Sequence, residues 1–144
     1  IGARVVFTAT DDQVGRELFV TDGTGAGTGL LADIYTGLPS ANPGSYVLHQ
    51  GQLWFGASSA FHGAELWRTD GLPGGTTLVE DLAVGSAGIY ATGLTSFGTR
   101  LLFRGILDNA GVEPCVTDGT FPGTALLGDL NPPPADSAPD QFTP

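Results

Sequence analysis

Carboxylates dominate the ionisable groups of this chain, and three of them recur in one phrase. Asp22, Asp70 and Asp118 each precede a glycine in the segments TDGTGAGT, TDGLPGGT and TDGTFPGT. A ring of such carboxylates could bind a cation, but the spacing lacks the dense oxygen ligands of a calcium-binding loop. An aspartate before a glycine is also typical of a tight turn, because its carboxylate accepts hydrogen bonds from backbone N–H groups nearby. We therefore interpret the phrase as turn construction.

The glycines of the phrase are predicted to shape the same turns. One follows each aspartate directly, and another lies five residues beyond the aspartate. We expect the later glycine to supply a positive φ, which L side chains rarely adopt. The first set comprises Gly23, Gly71 and Gly119, and the second comprises Gly27, Gly75 and Gly123.

Other acids suggest a structural bond more than a reaction. Glu17, Glu65 and Glu113 open a predicted strand in every copy of the phrase. Recurrence in each copy favours a repeated structural bond over catalysis, because an active site is normally asymmetric within its fold.

A loop site is the remaining candidate for ion binding. Asp11 and Asp12 lie in one loop and Asp108 lies in the corresponding loop of the third copy, whereas the middle copy has no acid there. This difference weakens any shared metal site. We predict no metal and no cofactor, with these three acids as the weak exceptions.

Histidine and cysteine do not complete a catalytic group. His49 and His62 lie in different loops without ligand spacing, and Cys115 occupies a position held by aromatic residues in the other copies. No nucleophile, base and orienting residue can be assembled from the sequence. We therefore expect packing roles for these residues and no enzymatic activity.

The elements that position these residues form a tandem repeat. Copies of ELFVTDGTGAGT begin every 48 residues, at Glu17, Glu65 and Glu113. Three such units fill all 144 residues as one repeat domain, with units 1–48, 49–96 and 97–144. A period of this length indicates a repeat architecture with one supersecondary unit in each copy.

Each unit predicts four short strands divided by glycine-rich turns. The predicted strands of the middle unit span residues 44–50, 53–57, 65–70 and 76–82. Leu53 and Phe55 lie on one face of a strand and Trp54 on the other, so both faces of the sheet must be covered. Four-stranded antiparallel sheets stacked around an axis describe a β-propeller. The predicted fold is all-β, with three blades per chain that are circularly permuted relative to the repeat units.

The outer edge of each blade is predicted to be the fourth strand, where acids would discourage pairing between molecules. These acids are Asp33, Glu80, Asp81 and Asp129.

Ring closure is expected to need a second chain. The sequence begins within a predicted second strand, Arg4–Thr10, and ends within an unpaired first strand, Asp140–Pro144. Three blades form only an arc, so we expect two chains to join head to tail as a homodimeric, six-bladed ring. The alternative is that the chain is a fragment or that the remaining blades lie on another polypeptide.

Composition excludes several partners. The chain carries a net charge of −10, with fifteen acids against five basic residues. Binding to nucleic acid is therefore unlikely in electrostatic terms, and anionic membranes would repel the protein. We also find no apolar run that could cross a bilayer and no basic-then-apolar leader.

The phrase ELWRTDGLPGGTTLVEDL resembles the ELWxxDGT repeat family of bacterial hyalin-like proteins. The resemblance covers the whole chain and weakens in the third copy, where Pro114 and Cys115 replace the Leu-Trp pair. It implies an exported or cell-surface protein and supplies no catalytic residues.

Two classes of function follow. The first is a structural or ligand-binding module, with glycans or surface proteins as ligands and with aromatic rings near the loops as stacking faces. The candidate rings are Tyr46, Trp54, Tyr90 and Phe61, and their alternative role is core packing between blades. The second is a hydrolase with an acidic site at the mouth of a channel, built from Asp11, Asp12 and Asp108.

Overall fold

A computed structural model describes residues 1–83, 85–107, 110–132 and 135–143. These residues form eleven β-strands, arranged as three antiparallel sheets in chain order, and no helix. The all-β prediction is confirmed. Within this described part, no helix is long and apolar enough to cross a membrane.

The first sheet has three strands, and the second and third sheets have four strands each. The first sheet contains β1 (Val5–Asp11), β2 (Gly15–Thr21) and β3 (Gly29–Ala32). The second contains β4 (Gly44–His49), β5 (Gln52–Ser59), β6 (Gly63–Thr69) and β7 (Thr76–Leu78). The third contains β8 (Thr92–Phe97), β9 (Arg100–Ile106), β10 (Val112–Thr117) and β11 (Ala125–Leu126). Neighbouring strands in the chain are neighbours in each sheet, so every sheet is a meander.

The last strand of each sheet is shorter than the sequence predicts. In the second sheet, β7 ends at Leu78 and not near residue 82. The acids expected on these edge strands therefore lie just beyond them, in the segments that lead to the next sheet. The correction applies to Asp33, Glu80, Asp81 and Asp129. The first amide after β7 still bonds to the neighbouring strand, from Val79 to the Leu66 carbonyl. The strand ends there because the later amides of the connecting segment bond to a glutamate instead.

Proline is accommodated within β10. Pro114 pairs with Arg104 in an unbroken antiparallel register between β9 and β10. On the other side of the strand, the Pro114 carbonyl accepts a hydrogen bond of 2.9 Å from the Leu127 N–H. The missing N–H of proline therefore does not end the ladder here.

Two hydrophobic cores hold the three sheets together. The core between the first and second sheets contains Leu18 and Phe55, and both are fully buried. The core between the second and third sheets contains Leu66 and Phe103, which occupy the same positions 48 residues later and are also fully buried. Fully burying one such side chain contributes about 1.5–3 kcal/mol. The same junction between sheets is thus built twice.

The segment after the third sheet lies where a further first strand would lie. The Thr95 hydroxyl donates a 3.1 Å hydrogen bond to the Phe142 carbonyl. The first strands β4 and β8 are side by side in a similar way, and His49 and Ser96 join them through Nδ1 and Oγ at 2.8 Å. Residues 140–143 are not paired as a β-strand within one chain, so their pairing with another chain stays a prediction, and Pro144 lies outside the described residues.

Candidate functional site

A buried glutamate fastens the connecting segment at the end of every sheet. Glu17, Glu65 and Glu113 are each fully buried near the start of β2, β6 and β10, the strands that carry the repeated phrase. Glu17 Oε2 accepts a hydrogen bond of 2.9 Å from the Ile34 N–H, and its Oε1 accepts one of 2.9 Å from the Ala41 N–H. We call this arrangement the glutamate clamp, because one carboxylate holds both ends of the connecting segment.

The clamp recurs in the other two sheets at the same sequence offsets. Glu65 accepts hydrogen bonds from the N–H groups of Leu82, at 3.4 Å, and Ala83, at 3.1 Å. Glu113 accepts a hydrogen bond of 3.1 Å from the Leu130 N–H. It also accepts two from Ser137, of 2.8 Å from the N–H and 2.5 Å from the hydroxyl. The recurrent glutamates therefore make a repeated structural bond.

The three clamps differ in the pKa of their carboxyl groups. Burial raises the pKa of Glu17 and raises that of Glu65 to about 7. The nearby charges of Asp33 and Asp81 add to these increases. Burial also acts to raise the pKa of Glu113, but its hydrogen bonds, above all the one from the Ser137 hydroxyl, outweigh burial and lower the pKa. Equivalent positions therefore prefer different protonation states near neutral pH.

The connecting segments share an unusual backbone conformation. Asn42, Tyr90 and Ala138 occupy equivalent positions and have φ values of 51°, 52° and 44°. Each N–H donates to a carbonyl at the start of the third strand, with N···O distances of 3.2, 2.9 and 3.1 Å. Non-glycine residues rarely adopt this left-handed region, so the surrounding bonds must hold it.

The Asp-Gly phrase forms a tight turn in every copy, between β2 and β3, between β6 and β7, and between β10 and β11. Asp22 Oδ1 accepts hydrogen bonds from the Thr24 N–H at 2.9 Å and the Thr24 hydroxyl at 2.7 Å. Asp118 accepts the same pair from Thr120. Asp70 accepts only from the backbone, at the N–H of Leu72, because leucine has no hydroxyl. In all three copies the carboxylate therefore closes the turn.

The two sets of glycines in the turn have different tasks from those predicted. Positive φ values occur beside the aspartates, at 92° for Gly23, 79° for Gly71 and 92° for Gly119. The later glycines, Gly27, Gly75 and Gly123, are not among the positive-φ residues, which corrects the prediction. They are needed because a Cβ at these positions would lie 2.0, 1.8 and 1.9 Å from the aspartate Oδ1.

The predicted ion-binding acids do not form a cluster in the described part of the chain. The Asp11 carboxylate accepts a 2.7 Å hydrogen bond from the Gln13 N–H, which is a local turn contact. Asp12 is exposed, and Asp108 lies outside the described residues. Among the described residues, no group of three or more His, Cys, Asp or Glu could hold a metal ion.

The histidines and the cysteine take part in packing. His49 is buried against the edge of the Trp54 ring, with the ring centroids 5.6 Å apart. His62 Nδ1 is 3.2 Å from the hydroxyl of Ser59 in the same hairpin. Cys115 is buried in the core between the second and third sheets, where Phe103 also lies.

The aromatic residues proposed as stacking faces lie in different environments. Trp54 is 3% exposed, lies in the second core and has the Arg68 guanidinium 5.5 Å from its ring centroid. Tyr46 is partly covered, because its hydroxyl bonds to Thr8 and its ring lies 5.7 Å from that of Phe55. Tyr90 is 58% exposed at the junction of the second and third sheets. Phe61 is 81% exposed. Of the four rings, that of Trp54 is therefore the least accessible and that of Phe61 the most, followed by Tyr90.

A cavity of about 200 Å³ opens at this junction, which we call the junction cavity. Its lining comes from the segments that enter β4 and β8, from the end of β5 and from the start of β6. Tyr90 and Ser45 line it together with Gly56, Ser58 and Glu65. It is thus the place where an exposed ring, hydroxyl groups and a buried acid meet within one chain.

Sequence reasoning did not find this cavity, although one substitution marks it. Gly56 occupies the position that holds Thr8 in the first copy and Arg104 in the third. In the first sheet, the Thr8 hydroxyl donates a 2.9 Å hydrogen bond to the Pro43 carbonyl. Gly56 has no side chain to make the corresponding bond, and the carbonyl of Ala91, the equivalent of Pro43, lies directly against it.

No protein-family model, curated protein or solved structure matches this chain.

Proposed function

We propose that the chain is a non-catalytic structural module of the β-propeller type, with each sheet serving as one blade. The repeated construction of the junction between sheets supports this proposal most directly. Leu18 and Leu66 are buried at equivalent places in successive cores, and so are Phe55 and Phe103. Glutamate clamps then connect each sheet to the next segment in the same way, which suits sheets that continue around an axis.

The two outward faces of the end sheets support a further partner. On the first sheet, Val5 is 62% exposed and Leu30 is 45% exposed, whereas Leu101, the equivalent of Val5 in the third sheet, is 1% exposed. On the third sheet, Leu127 is 55% exposed, whereas its equivalent Leu31 is 7% exposed. We call these surfaces the two end faces. Each exposes apolar side chains that the internal junctions cover.

A missing backbone contact supports the same arrangement. The Ser58 N–H donates a hydrogen bond of 2.8 Å to the Ala41 carbonyl, and the Ile106 N–H donates one of 2.8 Å to the Ile89 carbonyl. Each bond joins a second strand to the segment before its own first strand. The equivalent donor in the first sheet is Thr10, on edge strand β1. The equivalent acceptor is the carbonyl of Ser137.

The occupant we propose for the end faces is a second copy of this chain. The end face of the first sheet keeps Phe7, the equivalent of Phe55 and Phe103, whereas the third sheet has Pro114 in place of Leu18 and Leu66, so the two end faces match an internal junction in part. In a pair of copies, residues 137–143 of each would lie beside β1 of the other as its first strand. The Ser137 carbonyl of one copy would then accept the Thr10 N–H of its partner. Six sheets would complete the ring.

The cellular setting is proposed from the resemblance of the repeated phrase alone. Proteins with such phrases are commonly exported or on the cell surface, and we propose the same for this chain. Fractionation of cells that express the protein, followed by immunoblotting, tests this part separately. Recovery only in the cytosol would contradict it.

The mass in solution tests the ring. Sedimentation equilibrium of the 144-residue chain should give about twice the 14.7 kDa of one copy. A monomer at all accessible concentrations would refute the second copy as the occupant. A larger complex isolated only with another polypeptide would assign the end faces to that polypeptide instead.

Paired variants sharpen the test. Leu127→Glu places a charge on an end face and should convert the dimer to monomers without unfolding it, because Leu127 is already exposed in one chain. Leu38→Glu is the control, because Leu38 is 69% exposed in a connecting segment and belongs to neither end face. Equal dissociation by both variants would show that the end face is not the contact.

A further inference from the structure

We propose that the junction cavity binds one neutral, six-membered sugar ring, as a free glycoside or as the terminal unit of a glycan. The inference concerns a small-molecule site within one chain and goes beyond the structural role of the sheets. Its lining residues come from the second sheet, from the segments that enter β4 and β8, and from Thr92 at the start of β8, all in one chain. The site therefore exists whether or not a second copy is bound.

The size of the cavity matches a single ring. Its volume is about 200 Å³, and one water molecule takes about 30 Å³ of liquid. Room for about six waters suits one monosaccharide and is too small for a disaccharide held entirely inside. Gly56 also lines the cavity, and it must be glycine because a Cβ there would lie 2.4 Å from the Ala91 carbonyl oxygen, where the segment entering β8 passes close to β5.

The walls offer the two kinds of contact that a sugar ring uses. Tyr90 is a lining residue and is 58% exposed, and an accessible aromatic ring is a surface on which the C–H face of a sugar can stack. Ser45 and Ser58 also line it, and their hydroxyls make no hydrogen bond to any residue that the structure describes. These hydroxyls are available to donate to, and accept from, the hydroxyl groups of a ligand.

A third hydroxyl, that of Thr92, already accepts a hydrogen bond within the protein. Thr92 lines the cavity, and its Oγ1 accepts a 2.7 Å hydrogen bond from Arg104 Nε. Because a lone pair of Oγ1 is already used, its proton is directed elsewhere and can be donated to a ligand oxygen. The cavity thus combines one stacking surface with several hydroxyl groups of different orientation.

Charge selects a neutral ligand over an acidic one. The protein carries a net charge of −10, which repels anions over its whole surface. Glu65 lies at the cavity, and its burial raises its pKa, so the wall loses negative charge near neutral pH. Uronic acids and phosphorylated sugars are therefore expected to bind more weakly than neutral glycosides.

The backbone at Tyr90 provides a variant that removes the ring without straining the fold. Tyr90 has a φ of 52°, and the equivalent Asn42 has a φ of 51°. Asparagine tolerates this region better than other non-glycine residues do. Tyr90→Asn should therefore fold normally. Phe121→Asn is the matched control, because Phe121 is also 58% exposed but lies in the turn between β10 and β11.

The experiment is a titration followed by two-dimensional amide NMR. The ligands are the methyl glycosides of glucose, galactose, mannose and N-acetylglucosamine, with methyl glucuronide as the acidic comparison. At least one neutral glycoside should shift the amide signals of Gly56 and Ser58 saturably, with a Kd on the order of millimolar, as expected for so small a ligand. Tyr90→Asn should weaken binding about three- to tenfold, and Phe121→Asn should leave it unchanged.

Several results would overturn the proposal. They are no saturable shift at the cavity with any neutral glycoside, equal weakening by both variants, or preferential binding of methyl glucuronide in the same titration. A monomeric protein that binds the glycoside would support this site and refute the ring. A dimer that binds none of the glycosides would do the reverse.

Discussion

Replacing Glu65 by glutamine should change how the stability of the protein depends on pH. Burial raises the pKa of Glu65 from 4.5 to about 7 in the folded chain. Each pKa unit corresponds to about 1.4 kcal/mol, so the shift is worth about 3 kcal/mol. A raised carboxyl pKa means that the folded state keeps its proton longer than the unfolded state does. The free energy of unfolding should therefore fall by about 3 kcal/mol as pH rises from 4.5 to about 7.

The assay is urea unfolding of the wild-type protein and the Glu65→Gln variant at a series of pH values. Glutamine is always neutral, so the variant lacks this contribution to the pH dependence, while Glu17 contributes equally to both proteins. The variant should gain about 3 kcal/mol relative to the wild type across this window. Parallel profiles for the two proteins would refute the reasoning that burial dominates at this clamp.

Glu113→Gln is the matched comparison, because its effect should have the opposite sign. Hydrogen bonds from Ser137 and Leu130 outweigh the burial of Glu113 and lower its pKa. Its stabilising contribution is therefore complete above pH 4.5 and is lost as pH falls through the lowered value. Glu113→Gln should lower stability at neutral pH and lose this effect in acid. An increase in stability at neutral pH would contradict the assignment.

Further outcomes follow from packing and backbone conformation. Gly75→Ala should destabilise the fold by about 1–3 kcal/mol, because its Cβ would overlap the Asp70 carboxylate; in the Asp70→Ala background the cost should largely disappear, and an additive double-mutant cycle would argue against this clash. Phe55→Ala should lower the free energy of unfolding in urea by about 3–5 kcal/mol. Phe7→Ala, at a half-buried position on an end face, should lower it less when the protein concentration is low. Equal losses at low concentration would mean that the end face is already covered. Ala138→Gly should raise the melting temperature, since φ is 44° at this position and glycine relieves the strain of up to about 1 kcal/mol; a lower melting temperature would show that chain entropy outweighs strain.

The sequence predicts the strands well because the repeat aligns three independent copies. Glycine-bounded apolar segments indicate β4, β5 and β6 to within a few residues. The length of β7 is overestimated, since the backbone amides of Leu82 and Ala83 bond to Glu65 and not to a strand. An apolar residue in a clamped connecting segment and one in an edge strand look alike in the sequence. Only the position of the acceptor distinguishes them.

The glutamate clamp itself could be recognised only as a recurrent acid. Its partners are backbone N–H groups, such as those of Ile34 and Ala41, and any residue except proline can supply such a donor. The residues of the connecting segments can therefore vary while the hydrogen bonds to the glutamate are kept. No particular residue type in these segments identifies the donor. The role of the later glycines of the turn is equally hard to predict. A glycine can be required for steric clearance or for a positive φ, and the sequence does not distinguish the two.

The junction cavity depends on a difference between copies, and such differences carry little signal in one sequence. Gly56 looks like a random replacement until the neighbouring segment places Ala91 against it. Tyr90 and Asn42 likewise share a positive φ that neither residue type predicts. The site arises where two ordinary substitutions meet across a junction, which periodicity alone cannot reveal.

If two copies pair as proposed, the glutamate clamps would also influence which kind of assembly forms. The two end faces are different surfaces, so successive copies would keep adding unless the rotations at all the junctions sum to a full circle. In the proposed ring, each clamp would hold the segment that crosses to the next sheet and would thereby influence the rotation between sheets. A change of a few degrees per sheet would convert a finite particle into a helical fibre. Electron micrographs of clamp variants would reveal that fibre directly.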